Sequence, residues 1–329
     1  MTLPRRQFLR LAAGAALLPA AAQRGQAQDF PARPITLVVP VPAGGAMDTN
    51  ARLVADGMRT ALGQPVVIEN VTGASGSIGA GRVARAAPDG YTVLYGANVT
   101  HVLNPAVYNL PYDVVADFEP IARIGHTPWL IVGKKDLPVS DLRGLIDWLK
   151  SNPERSTCGT AGPGSPSHIA GVLFQKVTGT RFQFVPYRGV APVIPDLVAG
   201  QIDMAILDPI TTLPQIRAGR IKAFAVMDER RSAAAPDIPT VDEGGAPGVY
   251  MSPWQAMYAP KGTPKEVIAK LNAAVVSALG DPAIRQKFAA QGYILSTREQ
   301  LTPAYLAKFQ REEIAKWWPI IEAAGIKKQ

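Results

Sequence analysis

Short apolar runs alternate with segments of helical period from residue 35 onward. ITLVVPV (Ile35–Val41) reads as a buried strand, and DTNARLVADGMRTAL (Asp48–Leu62) as an amphipathic helix. That helix opens on Asp48, an N-cap type residue, and closes at Gly63. VVIEN follows as a strand, then the loop NVTGASGSIGAG, which runs into a helix IGAGRVARAA stopped by PDG, and YTVLYGA as a third strand. Alternation of this kind predicts βαβ units around a mostly parallel sheet.

Past Asn98 the pattern loosens, and IARIGHTPWLIVGKK fits one or two strands. A second set then begins with the capped helix SDLRGLIDWLKSN, the strand STCGT, the loop GPGSPSH and the helix SHIAGVLFQKVTG. It continues through strand FQFVPYRG, helix APVIPDLVAGQ, strand IDMAILD, helix TTLPQIRAG and strand IKAFAVMD. WQAMYAP reads as a crossover back, and three helical stretches, Pro264–Leu279, Pro282–Ala290 and Thr302–Ala324, finish the chain. Each set holds a strand, a Gly/Ser loop and a helix, and Gly76 and Gly164 lie 88 residues apart. That distance is one small domain, not a solenoid repeat. The prediction is an α/β protein of two similar lobes, each offering a helix N-terminus to the other.

The first residues add a destination. Arg5, Arg6 and Arg10 precede an apolar run, Leu11 to Ala22, that falls short of the about 20 residues needed to span a bilayer. Gly25 and Ala27 then supply a small-residue cleavage site, so residues 1–27 read as an export signal. The arginine pair followed by QFL is of twin-arginine type, although Pro4 stands where Ser or Thr is commoner and keeps the general secretory route open. Removing the segment lowers the formal charge from +8 to +4 over 302 residues. Such an excess suits a small anion and is too weak for nucleic acid.

Cys158 is the one cysteine, so no intramolecular disulfide forms, and in STCGTAG it reads as a small buried hydrophobe. Three scattered histidines and one cysteine give no metal spacing. Neither a metal nor a cofactor is expected.

The glycine loops carry the candidate chemistry. The first N–H groups of a helix lack intrahelical partners, and the helix dipole places partial positive charge there. GASGSIG and GPGSPSH both lead into helices, but neither is G-x-x-x-x-G-K-[ST] or G-x-G-x-x-G, which removes the nucleotide reading. PVPAGGAMD is a third such loop, outside the carboxyl end of the first strand, where open α/β sheets bind ligands. A carboxylate is the better anion for an exported protein.

Four stretches together, RPITLVVPVPAGGAMDTNAR, NVTGASGSIGAGRVARAAPDGYTVLYG, CGTAGPGSPSHIAG and VPYRGVAPVIPDLVAGQIDM, resemble the substrate-binding receptors of tripartite tricarboxylate transporters, the Bug family. The resemblance covers essentially the whole mature chain. It implies a periplasmic, two-lobed, type II-like binding protein that closes on a small carboxylate and delivers it to membrane permease subunits. It implies lobe one from 28–125 plus 252–329, lobe two from 126–251, and a monomer.

By position it implies first-lobe ligand contacts at Ala43, Gly44, Gly45, Ala46, Met47 and Asp48, and at Gly73, Ala74, Ser75 and Ser77. Second-lobe contacts fall at Gly162, Gly164, Ser165, Ser167 and His168, with Tyr187 and Arg188 nearby, and Thr100 and Asp208 at the cleft edge. Ala43 replaces the usual proline, Val71 a common basic residue and Ser75 a glycine, which bears on ligand identity.

Ordinary structural roles compete at each position. Asp48 suits an N-cap, His168 a structural bond, and Arg188 either a two-pronged carboxylate contact or a solvated turn. Tyr187 suits the cleft edge with a free hydroxyl; His101 and His126 suit loop or surface positions. Trp254, Trp317 and Trp318 are expected to pack on the lobes, and Trp129 to lie in a hinge formed by Ile124–Val132 and Trp254–Pro260. The rival reading is an exported serine hydrolase. It lacks a G-x-S-x-G elbow but leaves a pairing of Ser165 or Ser167 with His168 open. A periplasmic sensor partner would use the same site as the receptor.

Overall fold

The computed structural model describes residues 30–323, 325, 326 and 328, so the expected export segment lies outside them. The first set forms β1 (Ile35–Val39), α1 (Ala46–Leu62), β2 (Val66–Asn70), α2 (Ser77–Ala84) and β3 (Thr92–Ala97). A π-turn over Val99–Leu103 and the short α3 (Asn104–Val107) fill the stretch where the pattern loosened. IARIGHTPWLIVGKK divides into β4 (Phe118–His126) and β5 (Leu130–Lys134), which belong to different sheets.

The second set gives α4 (Leu142–Ser151), β6 (Thr157–Thr160), α5 (Pro166–Thr178), β7 (Gln183–Pro186), α6 (Val193–Val198), β8 (Met204–Leu207), α7 (Pro209–Arg217) and β9 (Ile221–Val226). Then β10 (Trp254–Pro260), α8 (Lys265–Gly280), α9 (Pro282–Ala290), β11 (Ile294–Leu295) and α10 (Pro303–Ala323) complete the fold.

Two sheets result, in the orders β11-β4-β10-β3-β1-β2 and β7-β6-β8-β5-β9. Three strands in each are mutually parallel, β2-β1-β3 and β7-β6-β8, and each trio is flanked by an antiparallel strand, β10 or β5. The chain crosses between sheets at 127–129 and again along 227–253. There the crossings bond to each other: Trp129 N–H donates to Met251 O (3.1 Å), and Met227 N–H donates to Trp129 O (2.8 Å). Trp129 thus lies in the first connection, whereas Trp254–Pro260, expected as the second hinge segment, is the strand β10 paired with β3 and β4 inside the first sheet.

Packing follows the periodicity. On α1 the apolar positions Ala51, Val54, Ala55 and Met58 are buried against the first sheet, with α8 beside them. Gly57 sits at the contact with α8, where an added Cβ would lie 2.5 Å from Ala278 Cβ and 2.8 Å from its Cα. Helix propensity favours Ala over Gly by about 1 kcal/mol. Here the steric term wins, because backbone must move. Gly57→Ala is expected to lose about 1–2 kcal/mol in urea melts; an equal or higher midpoint would contradict the packing.

On the other face, one core cluster runs without a break from Val38 and Leu94 of the first sheet through Met251 and Trp254 to Cys158 and Phe174 of the second. Cys158 is fully buried, and desolvation pushes its thiol up to about 12. Trp254 and Trp317 are buried as expected, whereas Trp318 is 40% exposed and donates its indole N–H to Val102 O.

Candidate functional site

The loops after β1 and β2 form one structure. Asn70, the last residue of β2, donates from Nδ2 to Val41 O (3.0 Å) and to Asp48 Oδ1 (2.9 Å). Gly76 and Gly79 bring the second loop against Pro40, close enough that a Cβ on either would clash or crowd it. The loop carrying Ala43, Gly44, Gly45, Ala46 and Met47 is therefore tied to the one carrying Gly73, Ala74, Ser75 and Ser77 through Pro40, Val41 and Asn70.

Asp48 has a different role from the cap expected of it. Helix α1 starts one turn earlier, with Gly45 as N-cap and no side-chain cap bond. Asp48 sits at the third helical position and reaches back to accept the Gly44 N–H (2.9 Å), Arg52 Nε (2.9 Å) and Arg52 Nη2 (3.1 Å), besides Asn70. These donors, Arg52 foremost, hold its carboxyl down at about 2 although it is almost fully buried. With its acceptor sites filled, Asp48 braces the loop.

Helix α2 also begins on a glycine, Gly76, without a side-chain cap. Two lobe-one helices, packed on opposite faces of the first sheet, thus start on uncapped glycine-led N-termini at the same sheet edge. The backbone between them is strained: Gly73, Ala74, Ser75 and Gly76 all have positive φ (118°, 45°, 53° and 90°). A non-glycine residue there costs roughly 1–2 kcal/mol, against about 0.5–1 kcal/mol of extra unfolded entropy for glycine. Ser75→Gly is expected to raise the melting temperature slightly, and a clear drop would mean that the serine hydroxyl compensates. Thr100 and Ser77 are buried behind this turn. Ser77 Oγ accepts from Asn104 Nδ2 (2.9 Å), and Thr100 Oγ1 bonds to Ala97 and His101 Nδ1. The Thr100 hydroxyl is thus engaged as donor and acceptor, and the Ser77 hydroxyl as acceptor.

The second lobe is built differently. Ser165 is a true N-cap of α5, accepting from His168 N–H (3.3 Å) while donating to Gly162 O (2.6 Å). Ser167 Oγ accepts the Ala161 N–H (2.8 Å) and lies 3.1 Å from Ser165 Oγ. His168 Nδ1 accepts the Gly164 N–H (3.0 Å), and burial lowers its pKa, so the ring is a neutral Nε2–H tautomer. The serine hydrogens point to Gly162 O and to Ser165 Oγ, and the histidine is no base for either. Prolines at 163 and 166 remove two more donors. Around this start, 161–168 is largely bonded to itself.

The remaining second-lobe candidates divide. Asp208 caps α7, accepting from Thr211 N–H (2.9 Å) and from the Thr211 hydroxyl (3.1 Å). Tyr187 differs from expectation: its hydroxyl donates to Asp196 Oδ2 (2.6 Å), and burial together with that carboxylate pushes the phenol up to about 12. Arg188, next to Gly162 through Tyr187, is exposed and has no side-chain partner among the described residues. His101 is not on the surface but fully buried, stacked 3.8 Å from Tyr258, its pKa pushed down to about 3 by burial. His126 is half-buried at the first crossing, 3.3 Å from Asp228.

Besides the shared core and the crossings, the lobes approach each other at the candidate loops. Gly44, Ala46 and Thr49 face Pro209, Ile210 and Leu213 across a cavity of about 330 Å³. Gly164 lies against Val107 of α3 and Ile326 near the C-terminus. The 44–49 segment thus looks toward α7 across open space, the 73–77 loop toward Tyr108–Pro111, and the 161–168 loop toward α3. Asn70, Arg52 and Asn104, which hold the loops, carried no motif and were missed by sequence reasoning.

The sequence profile described as "Tripartite tricarboxylate transporter family receptor" matches residues 50–326. Protein BugT of Bordetella pertussis is 36% identical over 306 residues, covering 92% of each chain. The solved structure of MatC from Rhodopseudomonas palustris with bound malate is 36% identical, with a TM-score of 0.75, covering 89% of this chain and 100% of that one. A second R. palustris protein, solved with adipate, is 34% identical with a TM-score of 0.78 and covers 92% of this chain and 100% of that one.

Proposed function

The chain belongs to the tripartite tricarboxylate transporter receptor family and is a solute-binding receptor; from that premise we propose that its ligand is a small dicarboxylate held mainly by the first lobe. One observation carries this reading: α1 and α2 begin at the same edge of the first sheet, on Gly45 and Gly76 with no side-chain cap, while α5 and α7 are capped by Ser165 and Asp208. Uncapped N-termini concentrate free N–H donors and positive potential. One ligand carboxylate would lie over Gly45, Ala46, Met47, Ala74 and Ser75. The malate and adipate in two related structures support a second acidic group, and unpaired Arg188 is suited to meet it.

The hydrogen-bonded crossings near the expected boundaries 125/126 and 251/252 support a division of the lobes there, with closure as a rotation about them. The protein works as an exported monomer, its leader removed near Ala27, and passes its ligand to permease subunits without transforming it.

A thermal-shift series tests the reading. Malate, succinate, adipate and citrate are compared with neutral sugars and with butylamine. At a hundred times its dissociation constant a ligand adds about 2.7 kcal/mol. A shift with dicarboxylates alone is expected. Shifts with sugars or the amine and none with any carboxylate would reject it.

A further inference from the structure

Behind the hinge lies a second cavity of about 340 Å³ that shares no residue with the anion loops. Its walls come from both lobes: Asn98, Arg123 and His126 from the first, Asp228, Glu229 and Ser252 from the stretch that links β9 to β10. Helix α10 closes it with Tyr305, Phe309 and Glu313.

Two lining groups are buried and unsatisfied. Asn98 is 3% exposed and its Oδ1 has no hydrogen-bond partner; Arg123 is 5% exposed and its Nε has none. Buried polar atoms are nearly always paired, and each orphan costs about 1–3 kcal/mol. The remaining Arg123 bonds go to neutral acceptors, Ser296 Oγ (3.2 Å) and His126 Nδ1 (3.1 Å), with the Phe309 ring 4.6 Å from the guanidinium carbon. No described carboxylate is within ion-pair distance of Arg123, which is unusual for a buried charge.

The acidic groups around it are held at a distance from that charge. Glu313 accepts both the Trp254 and Trp317 indole N–H groups (3.1 and 3.2 Å), and Asp228 is bound by the Ser252 hydroxyl (2.7 Å) and by His126. Glu229 is exposed at the rim. The cavity therefore combines an orphan donor on a cation, an orphan acceptor, surplus carboxylates and the faces of Tyr305 and Phe309. An anion alone would meet Glu229 and Glu313, and a cation alone would meet Arg123 and Lys316.

We propose that this hinge cavity is a second binding site, for a small zwitterion of the α-amino acid or betaine type. Its carboxylate takes the Arg123 Nε–H, and its ammonium or methylammonium group faces Asn98 Oδ1, Glu229 and the aromatic rings. Because the occupant touches both lobes, its binding is linked to closure on the cleft ligand, and the linkage is reciprocal.

Calorimetric titration of the full chain with L-alanine, L-serine and glycine betaine, beside propionate and propylamine, tests the site. Saturable binding of at least one zwitterion and of neither singly charged analogue is expected. Asn98→Ala and Glu229→Gln should each weaken that binding at least fivefold while the cleft dicarboxylate binds as before, and Ala46→Pro should leave it intact. Saturating dicarboxylate should change the zwitterion dissociation constant at least twofold. Absence of binding by every zwitterion, leaving water as the occupant, overturns the site. So does a zwitterion that competes with the dicarboxylate or is lost in Ala46→Pro. A zwitterion constant indifferent to dicarboxylate overturns the linkage. Failure of the dicarboxylate alone to bind would strike the cleft reading and not this one.

Discussion

Ala46→Pro is expected to weaken dicarboxylate binding roughly ten- to a hundredfold while leaving the melting temperature unchanged or slightly higher. Ala46 is the first residue of α1, behind the N-cap Gly45. Its N–H is one of those a helix cannot satisfy itself, so folding loses nothing when proline removes it. Gly45 has φ −77° and ψ 169°, the extended conformation that a following proline requires. The fold accepts the arrangement elsewhere: Pro166, Pro209 and Pro282 occupy the equivalent first positions of α5, α7 and α9. Proline at a compatible site adds about 0.4–1 kcal/mol through the unfolded chain.

The binding side runs the other way. A hydrogen bond to a charged group contributes about 1.5–3 kcal/mol, which at about 1.4 kcal/mol per tenfold sets the expected loss. Calorimetric dissociation constants and a melt on the same sample separate the two effects. Wild-type affinity in a stable Ala46→Pro protein would move the carboxylate away from the start of α1.

The reason this backbone-level test is available also explains what the sequence could reveal. Glycine loops ahead of helices were legible because glycine's conformational freedom and the helix period are local properties. Gly44, Gly73 and Gly76 indeed adopt positive φ. The alternation of strands and helices gave both parallel trios for the same reason. Hydrogen-bond partners were not legible, since a hydroxyl's partner is chosen by whatever the fold brings within about 3 Å. PVPAGGAMD and GPGSPSH look equivalent as strings. Yet Ser165, Ser167 and His168 satisfy one another and their own loop, whereas residues 43–47 include one glycine braced from below and a helix start left open. His101 read as a surface residue because nothing nearby in sequence announces Tyr258, 157 positions away and stacked on it. The two-residue β11 and the π-turn at Val99–Leu103 are too short for any periodicity to mark.

Asp48→Asn is the second large expected effect, and it probes the brace itself. The substitution keeps the shape of the side chain and removes the charge that Arg52, Gly44 and Asn70 are gathered around. Hydrogen bonds to a charged acceptor are the strong ones, so a loss of about 2–3 kcal/mol is expected at pH 7. For a chain this size that is a fall of roughly 3–5 °C in melting temperature.

The pH dependence has a definite sign. The Asp48 carboxyl titrates at about 2 in the folded protein against 3.8 as its ordinary value, so the folded state holds it ionised more tightly. At about 1.4 kcal/mol per pH unit, its contribution is of the order of 2 kcal/mol, fully present above pH 4 and lost as the pH falls through about 2. The difference in melting temperature between wild type and Asp48→Asn should therefore be constant from pH 5 to 7 and shrink below pH 4.

Removing a buried negative charge beneath an anion site could by itself tighten binding, but Arg52 already cancels that charge at 2.9 Å. Loosening of Gly44 then dominates, and dicarboxylate affinity should fall several-fold. An Asp48→Asn protein that is stable, binds better and differs from wild type equally at pH 3 and pH 7 would show that the carboxylate opposes the ligand rather than supporting its loop.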